Sequence, residues 1–380
     1  MLENNNNNFY EDQNVPPQPQ CPPQYVQAPY QQPIYVQPVV MQNPEEYKRK
    51  RDLRRIGLAI GLPAISLSVI GFLWSFVYLF VTKRFFGMSY NEAAELLDNP
   101  AMQQVLQIIL SCLMFLIPFT IGAKCLKIKI SNLIMFDKAK KGTFLPFLFF
   151  GIGFCSFSNV ATSYASGYIS SFLEFFGIDA EYNVDFGANP EGVFGFLLSF
   201  ITTAIVPALV EEFACRGIVL GLLKKYGEGF AIISSSIIFG VMHGNFEQIP
   251  FATLVGFILG YIYVKTKSIW VCVAVHCINN AISVILTYLS GVVSVNTQNL
   301  LYLIYLIISM LAAIVGVLLF AKNSDEKYAL DKIDEKITEK QKYTWLFTSW
   351  AIIVFLCLNA FEAFTYSSFY AKIIQFINGY

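Results

Sequence analysis

The chain alternates between long apolar runs and short polar segments that carry its charges. Three runs, 56–81, 101–123 and 143–173, contain no charged side chain, and each exceeds the roughly 20 residues that a bilayer-spanning helix needs. The other apolar runs are 192–210, 229–242, 248–264, 268–289, 300–321 and 344–361. This pattern predicts an all-α fold, a polytopic transmembrane helix bundle of eight or nine spans, with nine favoured.

Two of these runs, 229–242 and 248–264, are short for a complete span. A tilted helix, a locally thinner bilayer or a partly re-entrant turn through 244–250 would each accommodate them. The number of spans therefore depends on how this pair of segments enters the membrane.

Basic side chains are concentrated in alternate loops, and this sets the predicted orientation. By the positive-inside rule the basic segment before residue 56 lies in the cytoplasm, and so does the N-terminus. The intervening loops carry mainly acidic side chains. The basic residues on the predicted cytoplasmic side are Lys48, Arg49, Lys50, Arg51, Arg54, Arg55, Lys124, Lys127, Lys129, Lys138, Lys140, Lys141, Lys224, Lys225, Lys265 and Lys267, followed by those in 322–342.

The first 47 residues differ from the rest because they are rich in Asn, Gln and Pro. Such a composition predicts a disordered cytoplasmic tail. The predicted organisation has this tail at 1–47, N-terminal spans at 48–190, a catalytic membrane core at 191–290 and C-terminal spans at 291–380. Within the last unit, 322–343 is predicted to be a cytosolic connector helix with Leu330, Ile333 and Ile337 on one face.

Composition supports the membrane assignment and excludes several other classes. Apolar residues make up 55% of the 380 and charged residues 14%, against about 25% in soluble domains, and mean hydropathy is +0.53. With 26 basic and 26 acidic residues, the chain does not resemble a nucleic-acid binder. Eight cysteines without paired spacing argue against a disulfide scaffold. The lack of a targeting signal and the composition of the tail favour a bacterial plasma membrane, with the lipid bilayer as a partner.

Ionisable side chains inside apolar segments are expensive, so they indicate a functional site. Glu211, Glu212 and Arg216 interrupt an apolar stretch, and the only two histidines of the chain, His243 and His276, lie in the next hydrophobic segments. Helical spacing of four places three pairs on common faces. These pairs are Glu212 with Arg216, Phe239 with His243, and His276 with Asn280.

Each of these residues also has a purely structural interpretation. Glu212 and Arg216 are suited to a self-neutralising ion pair, and a buried histidine often only bridges helices by hydrogen bonds. Glu211 is different, because no basic residue stands four positions away on its helix. An unpaired carboxyl in a medium of low dielectric constant suits a proton acceptor.

Three motifs in this order resemble a known family. Glu211–Arg216 fits E-E-x-x-x-R, Phe239–His243 fits F-x-x-x-H and His276–Asn280 fits H-x-x-x-N. Together they resemble the CAAX protease and bacteriocin-processing (CPBP/Abi) family of intramembrane endopeptidases, which includes type II CAAX prenyl endopeptidases and relatives linked to bacteriocin maturation, self-immunity and lysostaphin resistance. The resemblance covers about 192–290 and does not extend to the tail or the flanking spans.

The resemblance implies a division of roles among these side chains. Glu211 would be the general base, His243 would help to hold the attacking water, and His276 with Asn280 would donate hydrogen bonds to the oxyanion. Glu212, Arg216 and Phe239 would support them. The implied substrate is a membrane-associated peptide or protein, processed at a CAAX-type site or as a bacteriocin leader.

Three alternatives stay open at the level of sequence. Glu211, His243 and His276 supply enough ligands for a catalytic zinc, although Asn280, a poor zinc ligand, favours a metal-free enzyme. A Ser–His dyad using 234–236 is a weaker possibility. A transporter would bury similar groups but predicts an internal repeat, and a non-catalytic immunity or scaffold protein would retain the fold and only bind peptides.

Overall fold

The computed structural model describes residues 44–139, 142–175, 192–246, 248–323, 329–331 and 337–365. Within these ranges the chain is almost entirely helical and forms no β-strand. The helices are α1 (Pro44–Phe86), α2 (Tyr90–Asp98), α3 (Pro100–Cys125), α4 (Phe144–Phe175), α5 (Gly192–Tyr226), α6 (Glu228–Val241), α7 (Gln248–Thr266), α8 (Ile269–Ser290), α9 (Val295–Asn323), α10 (Glu339–Phe347) and α11 (Trp350–Thr365), with a 3₁₀ turn at Ile130–Asn132.

Each predicted apolar run coincides with a helix or, for 344–361, with the bent pair α10 and α11, which confirms the all-α membrane bundle, but the preference for nine spans is corrected. In the described ranges, seven helices are long and apolar enough to cross a bilayer, or eight if α10 and α11 form one span bent by 69°. The run 229–242 forms α6, which has only 14 residues. Because 14 residues rise about 21 Å, α6 is shorter than the hydrocarbon core of roughly 30 Å.

The boundary of the predicted tail is also corrected. Residues 44–47 belong to α1, where Pro44 occupies the first turn and acidic Glu45 and Glu46 follow it. Proline is well suited to the first helical position, and acidic side chains favour the positive end of the helix dipole. The remainder of the tail, 1–43, and the acidic loop at 176–191 lie outside the described residues, so the orientation stays a prediction.

The predicted connector helix over 322–343 is only partly helical in the residues that the structure describes, because 322–323 belong to α9 and 339–343 to α10. Residues 329–331 and 337–338 are not helical, and α10 starts at 339 behind a capping box formed by Thr338 and Gln341. The amide of Asp331 donates to a Glu228 carboxylate oxygen at 2.9 Å, and the Lys265 ammonium donates to the Ala329 carbonyl. Bonds to the ends of α6 and α7 therefore replace the bonds that a helix would make.

The central helices form the framework for the motif residues. Helix α4 packs against α7, α8 and α9, and α6 packs against α7 as an antiparallel hairpin. Gly240 permits this hairpin to close, because a Cβ atom there would lie 1.9 Å from Thr253 Oγ1. The three motifs are carried by α5, by the end of α6 and by α8.

Helix α5 is irregular around the acidic pair. Two π-helical segments, Phe200–Ile205 and Phe213–Leu220, flank the α-helical turn Val206–Glu212. Pro207 lies at the start of that turn and has no N–H to donate to the carbonyl of Thr203, four residues earlier. Such π segments in α-helices are frequent at functional sites, because they shift side chains out of the regular register.

Candidate active site

The acidic pair of α5 presents one buried and one partly accessible carboxylate. The side chain of Glu212 is fully buried, whereas that of Glu211 is 17% exposed. Consecutive helical residues point about 100° apart, so the two carboxylates approach their surroundings from different sides. Glu212 is therefore the interior member of the pair, and Glu211 is the partly accessible one.

Glu212 is the centre of a buried network of charges. Its Oε1 accepts hydrogen bonds from Arg216 Nη1 at 2.9 Å and from His276 Nδ1 at 2.8 Å. Arg216 is 1% exposed and also donates from Nη2 to the Gly256 carbonyl at 3.4 Å. The predicted pairing of Glu212 with Arg216 is confirmed. The additional bond from His276 to Glu212 joins α8 to α5, so the spacing of residues along α5 could not predict it.

Glu211 faces the other nitrogen of the same imidazole. His276 Nε2 lies 3.9 Å from Glu211 Oε2, beyond direct hydrogen-bond distance but close enough for a bridging water. The prediction that Glu211 has no partner on its own helix agrees with this geometry. Its neighbour is instead contributed by α8, so one buried imidazole lies between both carboxylates of the E-E motif.

His243 is placed at the end of α6 with a defined tautomer. Its Nδ1 is 2.9 Å from the carbonyl oxygen of Phe239, and a carbonyl can only accept, so Nδ1 carries the proton. The Nε2 atom of the neutral ring is then an acceptor. The ring meets Phe239 edge to face at 5.0 Å, which agrees with the prediction that these two side chains lie on a common face.

A residue that the motifs do not include holds the turn after His243. Asn245 is buried, its amide donates to the His243 carbonyl at 3.0 Å, and its Oδ1 accepts the Gln248 amide at 2.8 Å. The side chain thereby fixes the end of α6 relative to the start of α7. A polar residue between two apolar runs looks like an ordinary loop residue in the sequence, so this role was missed.

Phe239 connects the charged network with both histidines. The Arg216 guanidinium lies over its ring at 4.4 Å from the centroid, and the His276 ring meets it edge to face at 6.1 Å. A cation over an aromatic face is stabilised by the ring quadrupole, and more strongly when it is desolvated. Phe239 thus contacts three of the predicted site side chains.

Asn280 contacts α5 as well as lying one turn beyond His276. Its Nδ2 donates to the carbonyl of Thr203 at 3.0 Å, in the first π-helical segment of α5 and four residues before Pro207. Its Oδ1 accepts from Asn279 Nδ2 at 3.1 Å. One N–H of the Asn280 amide is therefore used to join α8 to α5, and the second remains.

The alternative zinc set was tested against this geometry. No group of three or more His, Cys, Asp or Glu side chains in the described parts of the chain is arranged to hold a metal ion. His276 Nδ1 is bonded to Glu212 and His243 Nδ1 to a backbone carbonyl, bonds that a metal-ligating histidine also makes, so the conclusion rests on the spacing of the side chains. Glu211, His243 and His276 do not form a ligand set in this arrangement.

The serine alternative also lacks the required contact. The hydroxyls of Ser235 and Ser236 both donate to the carbonyl of Ile232, at 3.1 and 2.6 Å, and the buried hydroxyl of Ser234 contacts no hydrogen-bond partner in the described residues. A nucleophilic serine needs its base within hydrogen-bond distance, and these two hydroxyls are directed along their own helix instead.

Comparison with known proteins gives a family match over the segment that carries these residues. Residues 193–282 match the family model described as Type II CAAX prenyl endopeptidase Rce1-like. A protein of Bacillus subtilis (strain 168) named "Putative membrane peptidase YdiL" is 36% identical over 90 residues, which is 23% of this chain and 37% of that protein. This chain thus spans little more than a third of that relative, and no solved structure matches it. The resemblance inferred from the three motifs is confirmed for residues 193–282, which contain every predicted site residue and match the Rce1-like family of type II CAAX prenyl endopeptidases.

Proposed function

We propose that this multi-pass membrane protein is an intramembrane endopeptidase that hydrolyses peptide bonds with a glutamate-activated water. The observation that carries the proposal is the placement of Glu211 and Glu212 at opposite nitrogens of one buried imidazole, His276. A purely structural ion pair would need only Glu212 and Arg216. The second carboxylate, partly exposed beside a histidine, is the group left over for chemistry.

Glu211 is the proposed general base. A water held by its carboxylate and by the acceptor Nε2 of His243 would donate one hydrogen to each. Its oxygen lone pair would then be directed at a substrate carbonyl carbon. Attack forms the C–O bond and transfers a proton to Glu211. Positioned acid–base groups of this kind contribute about 10²–10⁴-fold to rates.

The oxyanion would be stabilised from α8. Glu212 holds the proton on Nδ1 of His276. A second proton on Nε2 would make the ring a cation whose Nε2–H could donate to the oxyanion. Two carboxylates, Arg216 and such an imidazolium sum to zero charge, which suits a site of low dielectric constant. The remaining N–H of Asn280 is the second proposed donor. Collapse of the intermediate breaks the C–N bond, and Glu211 returns its proton to the leaving amine.

The proposed substrates are membrane-associated peptides or proteins. The description of the matched family model names type II CAAX prenyl endopeptidases, and the name of the Bacillus relative contains the words membrane peptidase. CAAX-type processing and cleavage of bacteriocin leader peptides, with a role in self-immunity, are the two substrate classes that this similarity suggests. Both present a peptide next to the bilayer, where Glu211 is partly accessible.

The test uses the full chain in proteoliposomes with a panel of fluorogenic membrane-anchored peptides. Glu211→Gln retains the shape of the side chain and removes the base, so we expect cleavage to fall at least about 100-fold. Glu95→Gln, an exposed carboxyl on α2, is the matched control and should cleave like the wild type. Asn280→Ala should lower turnover by about 10- to 1000-fold as a lost oxyanion donor.

Three outcomes separate the possible functions. Wild-type cleavage that Glu211→Gln abolishes supports the glutamate mechanism. Cleavage that survives the substitution refutes the role of Glu211. Peptide binding by the wild type without any product, across the panel, would instead identify a non-catalytic binding protein.

A further inference from the structure

A groove between α1 and α3 lies outside the proposed catalytic site. It has a cavity volume of about 380 Å³ and is lined by α1 from Arg55 to Ser66 and by α3 from Pro118 to Leu126. Its walls are apolar and accessible, with Leu62 47% and Ile121 54% exposed. None of the motif residues lines it.

The two helices touch at the base of the groove. A Cβ atom on Gly122 would lie 2.2 Å from the Ala59 carbonyl oxygen and 3.1 Å from Pro63, so only glycine permits this approach. One turn further along, α3 ends at the level of Arg55 on α1. The groove is therefore closed along its floor by the helix contact and open toward the lipid.

Basic side chains surround the end of the groove. A second depression, of about 520 Å³, is lined by Lys124, Lys127 and Lys129. It adjoins the apolar groove, because Cys125 and Leu126, which lie between Lys124 and Lys127 in the sequence, line that groove. All three lysines and Arg55 are exposed. In the part of the chain that the structure describes, none of these four cations forms a salt bridge.

The backbone holds one of these lysines in an unusual conformation. Lys127 has φ +58°, and the amides of Lys127 and Ile128 donate to the carbonyls of Lys124 and Ala123. This is the Schellman arrangement that ends a helix, and its left-handed position is usually occupied by glycine. A lysine there directs an additional positive charge toward the depression, at a site where glycine would fit the backbone better.

We propose that this surface binds an anionic phospholipid, with an acyl chain in the α1–α3 groove and its phosphate among the three lysines and Arg55. An apolar groove that opens to lipid and ends in unpaired cations matches the two halves of such a molecule. The basic end is on the side predicted to be cytoplasmic, where the membrane carries anionic lipids. A soluble phosphate ligand would use the cations but leave the groove empty.

The test compares phosphatidylglycerol with phosphatidylcholine of identical acyl chains. Each lipid is titrated onto the purified full chain in detergent, and bound lipid is counted by native mass spectrometry. We expect phosphatidylglycerol to bind at least tenfold more tightly, with the preference reduced at high salt. The combined variant Lys124→Gln, Lys127→Gly and Lys129→Gln should lose that preference and retain the weaker phosphatidylcholine binding.

Matched variants separate charge, groove and folding. Lys83→Gln, a basic residue near the other end of α1, should bind both lipids like the wild type. Ile121→Trp fills the groove and should weaken both lipids. Lys127→Gly alone removes a charge while favouring the observed backbone, so lowered phosphatidylglycerol affinity at an unchanged melting temperature cannot result from misfolding.

Three results would overturn the proposal. Equal phosphatidylglycerol affinities for the wild type and the combined lysine variant would remove the role of the cations. Glycerol phosphate binding as tightly as the intact lipid would remove the role of the groove. Preferential binding of an acidic helical peptide, with no preference between the two lipids, would assign the surface to a protein partner.

Discussion

Substitution of Arg216 tests the energetics of the buried charges. Arg216 is 1% exposed, and its guanidinium bonds a fully buried carboxylate at 2.9 Å while lying over the ring of Phe239. Arg216→Met retains most of the side-chain volume but leaves Glu212 with an uncompensated charge. Removing one partner of a buried pair costs about 3–5 kcal/mol, a large part of the stability of a typical domain.

A double-mutant cycle isolates the interaction from the lost volume. Glu212→Gln removes the negative charge but keeps an amide oxygen, which can still accept a hydrogen bond from His276 Nδ1. It should also be destabilising on its own, because Arg216 then lacks its counter-ion. In the double variant neither charge remains, so its cost should be smaller than the sum of the two single costs by about 2 kcal/mol.

The cysteines of the chain supply the assay. The thiols of Cys215 and Cys272 are fully buried next to this network, so they react with a maleimide dye only when the structure opens. After the exposed thiols have been blocked, a loss of 3–5 kcal/mol should accelerate this reaction roughly 10²- to 10⁴-fold. Arg84→Met, at an exposed position, is the control and should change the rate little. A rate for Arg216→Met within threefold of the wild type, or strictly additive costs in the cycle, would refute the reasoning.

Other substitutions test the packing and capping contacts. Phe239→Leu removes the aromatic face under the guanidinium, so we expect a loss of about 1–2 kcal/mol in the same thiol assay. Gly240→Ala should cost about 1–3 kcal/mol, because its methyl group would lie 1.9 Å from Thr253 Oγ1. A Cβ atom added at Gly167 would contact no neighbouring part of the structure within 4 Å, so Gly167→Ala should raise the free energy of unfolding by about 0.5–1 kcal/mol. Thermal unfolding midpoints measure the effects of both glycine substitutions. Hydrogen bonds from the backbone amide and the hydroxyl of Ser89, the N-cap residue of α2, hold the pKa of Glu92 below its usual range. The contribution of this carboxylate to α2 is therefore present at neutral pH and lost as the pH falls through that lowered pKa. Glu92→Gln should remove this pH dependence from hydrogen exchange of the α2 amides.

The sequence predicted contacts within a helix better than contacts between helices. The spacing of four placed Arg216 on Glu212 and Phe239 on His243 correctly, because these distances depend only on helical geometry. The bond from His276 to Glu212 depends on how α8 packs against α5, and no local pattern carries that information. The same limit explains the connector, whose apolar spacing predicts a helix but whose backbone bonds instead to Glu228.

Eight spans agree with the upper count in the described residues, and the preference for nine has a related explanation. Hydropathy detects every apolar segment, yet it does not distinguish a helix that crosses the bilayer from one that is buried in the bundle. Helix α6 packs against α5 and α7, with Phe239 buried along it. Its 14 residues are too few for a full span, and His243 follows two residues after its end. A short apolar helix of this kind resembles a span in hydropathy.

The amide of Asn280 connects these observations. Asn280 bonds the carbonyl of Thr203, which lies in the π-helical segment that precedes the turn carrying Glu211. This bond joins α8 to α5 and helps to fix the register of the two helices. His276 lies one turn before Asn280 on α8, so the same register places its ring between the two carboxylates. The amide of Asn280 has two N–H groups, one used in the helix contact and one that the proposed mechanism assigns to the oxyanion. An ionised aspartate has no N–H to donate, so Asn280→Asp would lose the bond to the Thr203 carbonyl as well as the proposed oxyanion donor.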